Sequence, residues 1–108
     1  MCSSDLGVLV MSDMAAIGVM KAAQTAGMRV PGDLSVVGFD DLPLSAWTNP
    51  PLTTVRQPIV DKGRLAARML IERMNGKSVG SPAPLSTTLI VRASTSEARN
   101  LDLPNDRR

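Results

Sequence analysis

Two neighbouring carboxylates, Asp40 and Asp41, follow a short apolar run, and a second polar pair, Ser12 and Asp13, follows another such run. A buried strand that ends in polar side chains is typical of an α/β sheet, in which ligands bind beyond the carboxyl ends of the strands. A carboxylate accepts two or more hydrogen bonds, so Asp40 could hold the hydroxyls of a sugar or the N–H groups of a base. If the two strands run parallel, both polar pairs lie on one rim.

Other roles for these acids stay open from the sequence. Asp40 or Asp41 could cap its own turn through an Asx-type hydrogen bond, and Asp13 is favoured as a helix cap. A paired-carboxylate acid–base site or a magnesium site is the weaker candidate, because adjacent strand-end residues point to different sides and no phosphate-binding loop accompanies them. The chain has no histidine, so it cannot build a Ser-His-Asp or Cys-His arrangement. We expect ligand capture without catalysis, metal or cofactor.

The residues around the polar pairs predict alternating strands and helices. Apolar or alternating runs predict strands at 7–11, 34–39, 52–57 and 86–92. Helices are predicted at 14–26 and 59–75, each followed by a glycine that can end it. Two strands joined by a helical crossover form a right-handed βαβ unit. The predicted fold class is therefore α/β, a parallel sheet with flanking helices.

Composition limits the partners and the compartment. Twelve basic residues against ten acidic give a charge of only +2, and aromatic residues make up 2%, so we expect no direct contact between this segment and DNA. The single cysteine, Cys2, excludes an internal disulfide and is compatible with a reducing cytoplasm. The longest apolar run, residues 6–20, is interrupted by Asp13 and falls short of the roughly 20 residues that a membrane span needs. We expect a cytoplasmic protein that does not contact a membrane.

Two apolar features have two readings each. Trp47, the only indole, could stack on a sugar ring, but an interface or core position is favoured because tryptophan is enriched at interfaces. The small residues of the first helix permit close packing. Its partner is either a twin helix across a two-fold axis or the sheet below, and the sequence does not decide between them.

Three motifs, in matching order and spacing, resemble the LacI/GalR family of bacterial transcription regulators over about residues 8–96. They are SDMAAIG at 12–18, RVPGDLSVVGFDD at 29–41 and PPLTTVRQP at 50–58. The resemblance implies the carboxy-terminal part of an effector-binding region with a partial periplasmic-binding-protein-like fold. In that fold two α/β lobes enclose a cleft for a small molecule, often a sugar or a purine.

The resemblance also implies a division of the chain. Residues 7–57 would belong to the carboxy-terminal lobe, the helix within 58–80 would cross to the amino-terminal lobe, and 86–97 would return. Residues 1–6 do not continue the family pattern, and 98–108 are a predicted tail. We expect the helix-turn-helix, the hinge and most of the first lobe to be missing from these 108 residues.

Site residues follow from the resemblance position by position. It implies that Asp40, the first acid of the motif, is an effector contact, with Phe39 beside it. Ser12 stands where the family commonly has an asparagine near the ligand. Dimer contacts are implied at Ala15, Val19 and Trp47.

The predicted function is effector sensing, for a sugar-like ligand, by a LacI-type regulator that binds its operator as a homodimer through the missing amino-terminal domain. The mechanism would be a population shift between open and closed lobes. A periplasmic sugar-binding protein, which shares the fold, is the alternative. A small α/β phosphotransferase that uses Asp40 and Asp41 is the enzymatic alternative, and the combined motif match favours the regulator.

Overall fold

The computed structural model describes residues 7–98. Its elements in chain order are β1 (Gly7–Leu9), α1 (Asp13–Thr25), β2 (Ser35–Val37), a 3₁₀ turn (Pro43–Ala46), β3 (Thr54–Arg56), α2 (Ile59–Met74) and β4 (Thr88–Ile90). The strands and helices predicted from the sequence are confirmed, although each strand is shorter than its apolar run. The predicted leader 1–6 and all but the first residue of the predicted tail lie outside the described residues.

The sheet is parallel where the polar pairs lie. β1 and β2 run parallel with Val8 opposite Val36, which confirms the predicted βαβ unit. β3 lies beside β2 through a parallel bridge between Val37 and Thr53. β4 instead runs antiparallel to β3, so the sheet is mixed at its last strand. The carboxyl ends of β1, β2 and β3 therefore face the same edge.

The segment after β4 is fastened to both β2 and β3. The Ser94 hydroxyl donates to the Val36 carbonyl at 2.6 Å and accepts the Thr53 amide at 2.8 Å. The Val36 amide in turn donates to the Ser94 carbonyl at 2.9 Å. Ser94 is fully buried, and its hydrogen bonds as donor and as acceptor offset the cost of removing the hydroxyl from water. The segment after β4 thus packs as part of the same sheet region.

The core lies between α1 and the sheet and is small. Its buried side chains are Ala16, Met20, Val36 and Leu52. Helix α1 begins after Ser12, whose Oγ accepts the Ala15 amide at 3.1 Å, and it ends before Gly27, which has a positive φ of 86°. The small residues of α1 allow the helix to approach β2 closely.

Helix α2 stands apart from this core. None of its residues is buried, and Ile59, Leu70 and Met74 are more than half exposed. The observed helix confirms the prediction, and within residues 7–98 its apolar face is mostly exposed. No helix in this range is long and apolar enough to cross a membrane.

Gly38 is where α1 and the sheet come closest. A Cβ at this position would overlap Oδ1 of Asp13 and would lie 3.0 Å from Leu52 Cδ2 and 3.3 Å from Ala16 Cβ. The adjoining strand fixes the backbone here, because the Gly38 amide donates to the Thr53 carbonyl at 2.9 Å. The site therefore cannot relax outward to accommodate a side chain.

We predict that Gly38→Ala lowers the free energy of unfolding by about 1–3 kcal/mol, because it overpacks this contact. Urea denaturation followed by circular dichroism measures the change. Gly18→Ala is the matched control, since nothing lies within 4 Å of a Cβ added there and alanine in a helix interior is favoured over glycine by about 0.5–1 kcal/mol. Equal midpoints for Gly38→Ala and the wild type would refute the close approach.

Candidate functional site

The carboxylate of Asp13 lies at the edge of the sheet where β1, β2 and β3 have their carboxyl ends. It is fully buried and accepts three hydrogen bonds, from the Leu42 amide at 2.7 Å, the Ser45 hydroxyl at 2.5 Å and the Thr54 hydroxyl at 2.5 Å. Its own amide donates to the Phe39 carbonyl at 2.9 Å. Hydrogen bonds to a carboxylate are stronger than those between neutral groups. Asp13 therefore ties the start of α1 to the loop after β2 and to β3.

This arrangement corrects the expectation that Asp13 caps its helix. Ser12 is the N-cap, and Asp13 is the first residue of α1. The side chain of Asp13 points into the protein because donors from residues 29 to 41 positions away along the chain meet it there. A local capping rule considers only the nearest amides, so it could not reveal these partners.

Asp41 is held by two arginines. Arg56 Nε donates to Oδ2 and Arg92 NH2 donates to Oδ1, both at 2.7 Å. Burial raises the pKa of Asp41, but the hydrogen bonds and positive charges of Arg92 and Arg56 outweigh it, so the net pKa lies below the ordinary value of 3.8. Its side chain is only 8% exposed. Asp41 is thus a structural anion and not a free ligand-binding group.

Asp40 differs from Asp13 and Asp41 because one of its carboxylate oxygens has no hydrogen bond within residues 7–98. Its Oδ1 accepts the Gln57 side-chain amide at 2.6 Å, while Oδ2 receives no hydrogen bond from residues 7–98. Asp40 lines an open depression of about 450 Å³ at the carboxyl ends of β1 to β3. The lining residues are Leu9, Val10, Met11, Phe39, Asp40, Gln57 and Lys62. This combination of apolar walls with one carboxylate suits a small polar ligand.

The structure brings Asp40 and Phe39 together in this depression but not Ser12. The Ser12 hydroxyl serves as the α1 cap, and its neighbour Met11 lines the depression instead. Effector contact by all three residues stays a prediction.

Gln57 and Lys62 are site residues that the sequence analysis missed. Lys62 Nζ donates to Gln57 Oε1 at 2.6 Å, so the two side chains and Asp40 form a hydrogen-bonded row. A signal for Gln57 was present, because it follows β3 just as Asp40 follows β2, and parallel strands end on one rim. Nothing in the sequence marks Lys62, whose placement depends on where α2 starts.

The three predicted dimer contacts lie on the α1 side of the sheet. Ala15 is exposed, Val19 is half-buried against the core, and Trp47 is 83% exposed. Among residues 7–98, the indole is therefore not in the core. Gln24 Nε2 donates to the Asn49 carbonyl at 3.1 Å and holds the Trp47 loop against α1. Whether a second copy packs here stays a prediction.

A metal centre finds no support in the described range. Among residues 7–98, no three acidic, histidine or cysteine side chains converge closely enough to hold a metal ion. The carboxylates of Asp13 and Asp41 are taken up by hydroxyl, amide and guanidinium donors.

Comparison with known proteins fits this geometry. Residues 3–95 match the family described as periplasmic binding protein-like domain, a range that begins within the leader 1–6. The transcriptional regulator MalR of Streptomyces coelicolor is 49% identical over 96 residues, covering 84% of this chain and 27% of its own length. A LacI family regulator from Enterococcus faecium with bound ribose superimposes with a TM-score of 0.76 at 29% identity, covering 87% of this chain and 35% of that one.

This chain belongs to the LacI/GalR family. The lac repressor dimer bound to operator and an anti-inducer is a further similar structure, with a TM-score of 0.74 and 36% identity over 83% of this chain and 32% of that one. The family resemblance and the periplasmic-binding-protein-like α/β fold are thereby confirmed. These three relatives are transcriptional regulators, and the chain spans about a quarter to a third of the length of each.

We predict that Asp13→Asn destabilises this LacI/GalR domain by about 2–4 kcal/mol, because an amide nitrogen would face a donor and weaken hydrogen bonds that now end on a charge. The free energy of unfolding in urea measures it. Asp61→Asn is the matched control, since Asp61 makes an exposed ion pair with Arg64 and its loss changes stability by about 0.5 kcal/mol or less. Equal losses in the two variants would contradict the role of Asp13.

We predict a specific acid sensitivity from Asp41. Because its pKa is lower in the folded chain than the ordinary 3.8, its contribution to stability is complete above that ordinary value and is lost as the pH falls through the lower folded value. The stability difference between wild type and Asp41→Asn should therefore be about 1–3 kcal/mol at pH 7 and should shrink below pH of about 4. Urea unfolding across that pH range tests this, and a constant difference would contradict it.

Proposed function

We propose that this chain is the effector-sensing part of a LacI-type transcriptional regulator and that its effector is a sugar or a related polyhydroxylated metabolite. The observation that carries the proposal is the state of Asp40. It is the one acid of the rim that keeps an oxygen without a hydrogen bond from residues 7–98, and it lines an open depression. Asp13 and Asp41 are already satisfied by the fold.

The lining of the depression supports a sugar on chemical grounds. A carboxylate oxygen accepts hydrogen bonds from adjacent hydroxyls, and such bonds are stronger than those between neutral groups. Phe39 and Met11 line the same depression and offer apolar surface to the C–H face of a sugar ring. Gln57 adds amide groups that can donate or accept. A ligand without hydroxyl or N–H donors would leave Asp40 desolvated and unpaired, at a cost in affinity.

The wider assignment continues from the family. Residues 7–57 and 86–97 would form one lobe and the helix within 58–80 would pack in the other, which accounts for an α2 that has no buried residue. Closure of the lobes over the effector would shift the population of conformations. The parent regulator would be a cytoplasmic homodimer, with Ala15, Val19 and Trp47 at the interface, and would contact DNA through an amino-terminal domain.

We predict that Asp40→Ala raises the Kd for the bound sugar by about tenfold or more, because it removes a charged hydrogen-bond acceptor. Isothermal titration calorimetry of the regulator that contains this chain, with D-ribose, cellobiose and lactose as probes, measures the change. Asp61→Ala, at an exposed α2 position, is the control and should leave Kd unchanged. Wild-type binding that is equally tight in Asp40→Ala would remove Asp40 from the site.

A further inference from the structure

The turn that carries Asp40 has an unusual backbone. Asp40 and Asp41 have φ values of 120° and 57°, and they are the non-glycine residues with positive φ within 7–98. An L-residue tolerates the second value when it is aspartate or asparagine, but the first lies outside the region that side chains normally adopt. Such a conformation persists when its surroundings hold it and is often found at ligand sites.

Backbone hydrogen bonds account for part of this hold. The amides of three successive residues, Asp40, Asp41 and Leu42, donate to the Val55 carbonyl, the Thr54 hydroxyl and the Asp13 carboxylate, at 2.8, 3.3 and 2.7 Å. The middle bond is the longest of the three. The backbone conformation of Asp41, in the middle of the turn, therefore depends most on the contacts of its side chain.

The side chain of Asp41 adds a second constraint on the turn through its ion pair with Arg92. One guanidinium nitrogen of Arg92 donates to Asp41 Oδ1 at 2.7 Å, and the other donates to the Leu52 carbonyl at 2.9 Å. The Arg92 amide also donates to the Thr53 hydroxyl at 3.0 Å. Both the backbone and the guanidinium of Arg92 are thus held by hydrogen bonds. The planar guanidinium therefore fixes the position of the Asp41 carboxylate.

We propose that Asp41 and Arg92 are positioning residues of the effector site: their ion pair holds the strained turn so that the carboxylate of Asp40 lines the depression. The proposal rests on the proposed function, since it takes Asp40 as the effector contact. Asp41 itself does not line the depression, so it acts on the ligand through the backbone of its neighbour.

The two arginines contribute unequally. The Arg92 side chain is 19% exposed, whereas that of Arg56 is 59% exposed. Solvent and salt weaken an exposed ion pair much more than a buried one. Arg56 also has no second hydrogen bond from its guanidinium within residues 7–98. The hold on Asp41 therefore comes mainly from Arg92.

Substitutions at the two arginines test this in the regulator that contains the chain, with D-ribose, cellobiose and lactose as probes. We expect Arg92→Met to raise Kd by about tenfold, the effect of losing one charged hydrogen bond. Arg56→Met should raise Kd by about threefold or less. Arg92→Lys, which keeps the charge but loses the fork, should fall between wild type and Arg92→Met. Arg64→Met, in an exposed α2 ion pair, is the control.

The binding stoichiometry separates positioning from a loss of folded protein. Irreversibly unfolded protein lowers the stoichiometry at an unchanged Kd, whereas reversible unfolding raises the apparent Kd only by the reciprocal of the folded fraction, which urea unfolding of each variant measures. A mispositioned Asp40 gives full stoichiometry and a Kd raised beyond that correction. An unchanged Kd in Arg92→Met, with Asp40→Ala still impaired, would overturn the positioning role alone. An unchanged Kd in Asp40→Ala would overturn the proposed function first.

A measurement without ligand tests the same hold. Amide hydrogen exchange reports how often the turn opens. We expect the Asp40 amide to exchange about tenfold faster in Asp41→Asn than in wild type, while Asp61→Asn leaves it unchanged. Asparagine is close to aspartate in shape and also tolerates positive φ, so the variant removes the charge and not the backbone preference. Equal exchange in Asp41→Asn and wild type would refute the proposal whatever the effector is.

Discussion

The hydrogen bonds to the buried carboxylate of Asp13 are the interaction on which the rest of this fold depends. A fully buried anion is costly unless donors surround it, and here three donors do so from the loop after β2, the 3₁₀ turn and β3. The same carboxylate lies so close to Gly38 that no side chain fits at position 38. The arrangement therefore fixes the distance from α1 to the sheet and the path of the chain after β2.

From this anchor follows a division of roles among three aspartates. Asp13 is buried and holds the elements together, Asp41 is paired with two arginines, and Asp40 has one oxygen in excess of what the fold uses. A carboxylate that the fold does not need, placed where three strands end, is available to a ligand. This geometry and the family resemblance are the two grounds on which we propose Asp40 as the effector contact.

Part of the described chain lies outside the small core. The apolar face of α2 is exposed, and β4 returns antiparallel to fasten residues 93–96 against β2 and β3. In the arrangement that we propose, the chain leaves the sheet after Gln57 and returns to it at β4, and so connects two bodies. Gln57, before this excursion, donates to Asp40, and Arg92, just after β4, donates to Asp41.

The sequence by itself determined the order of strands and helices, the parallel βαβ unit, the ends of both helices and the position of Asp40 at the end of a strand. These follow from local signals, namely apolar runs, periodicity, glycines and the strand-end position of an acid. Only the tertiary structure decided that Asp13 is a buried hydrogen-bond acceptor and not a helix cap. It also decided that Asp41 forms ion pairs with Arg56 and Arg92, and that Gln57 and Lys62 reach the candidate site. Each of these contacts joins residues that are between 5 and 51 positions apart in the sequence. A local sequence pattern does not specify which distant donor will bind a given carboxylate.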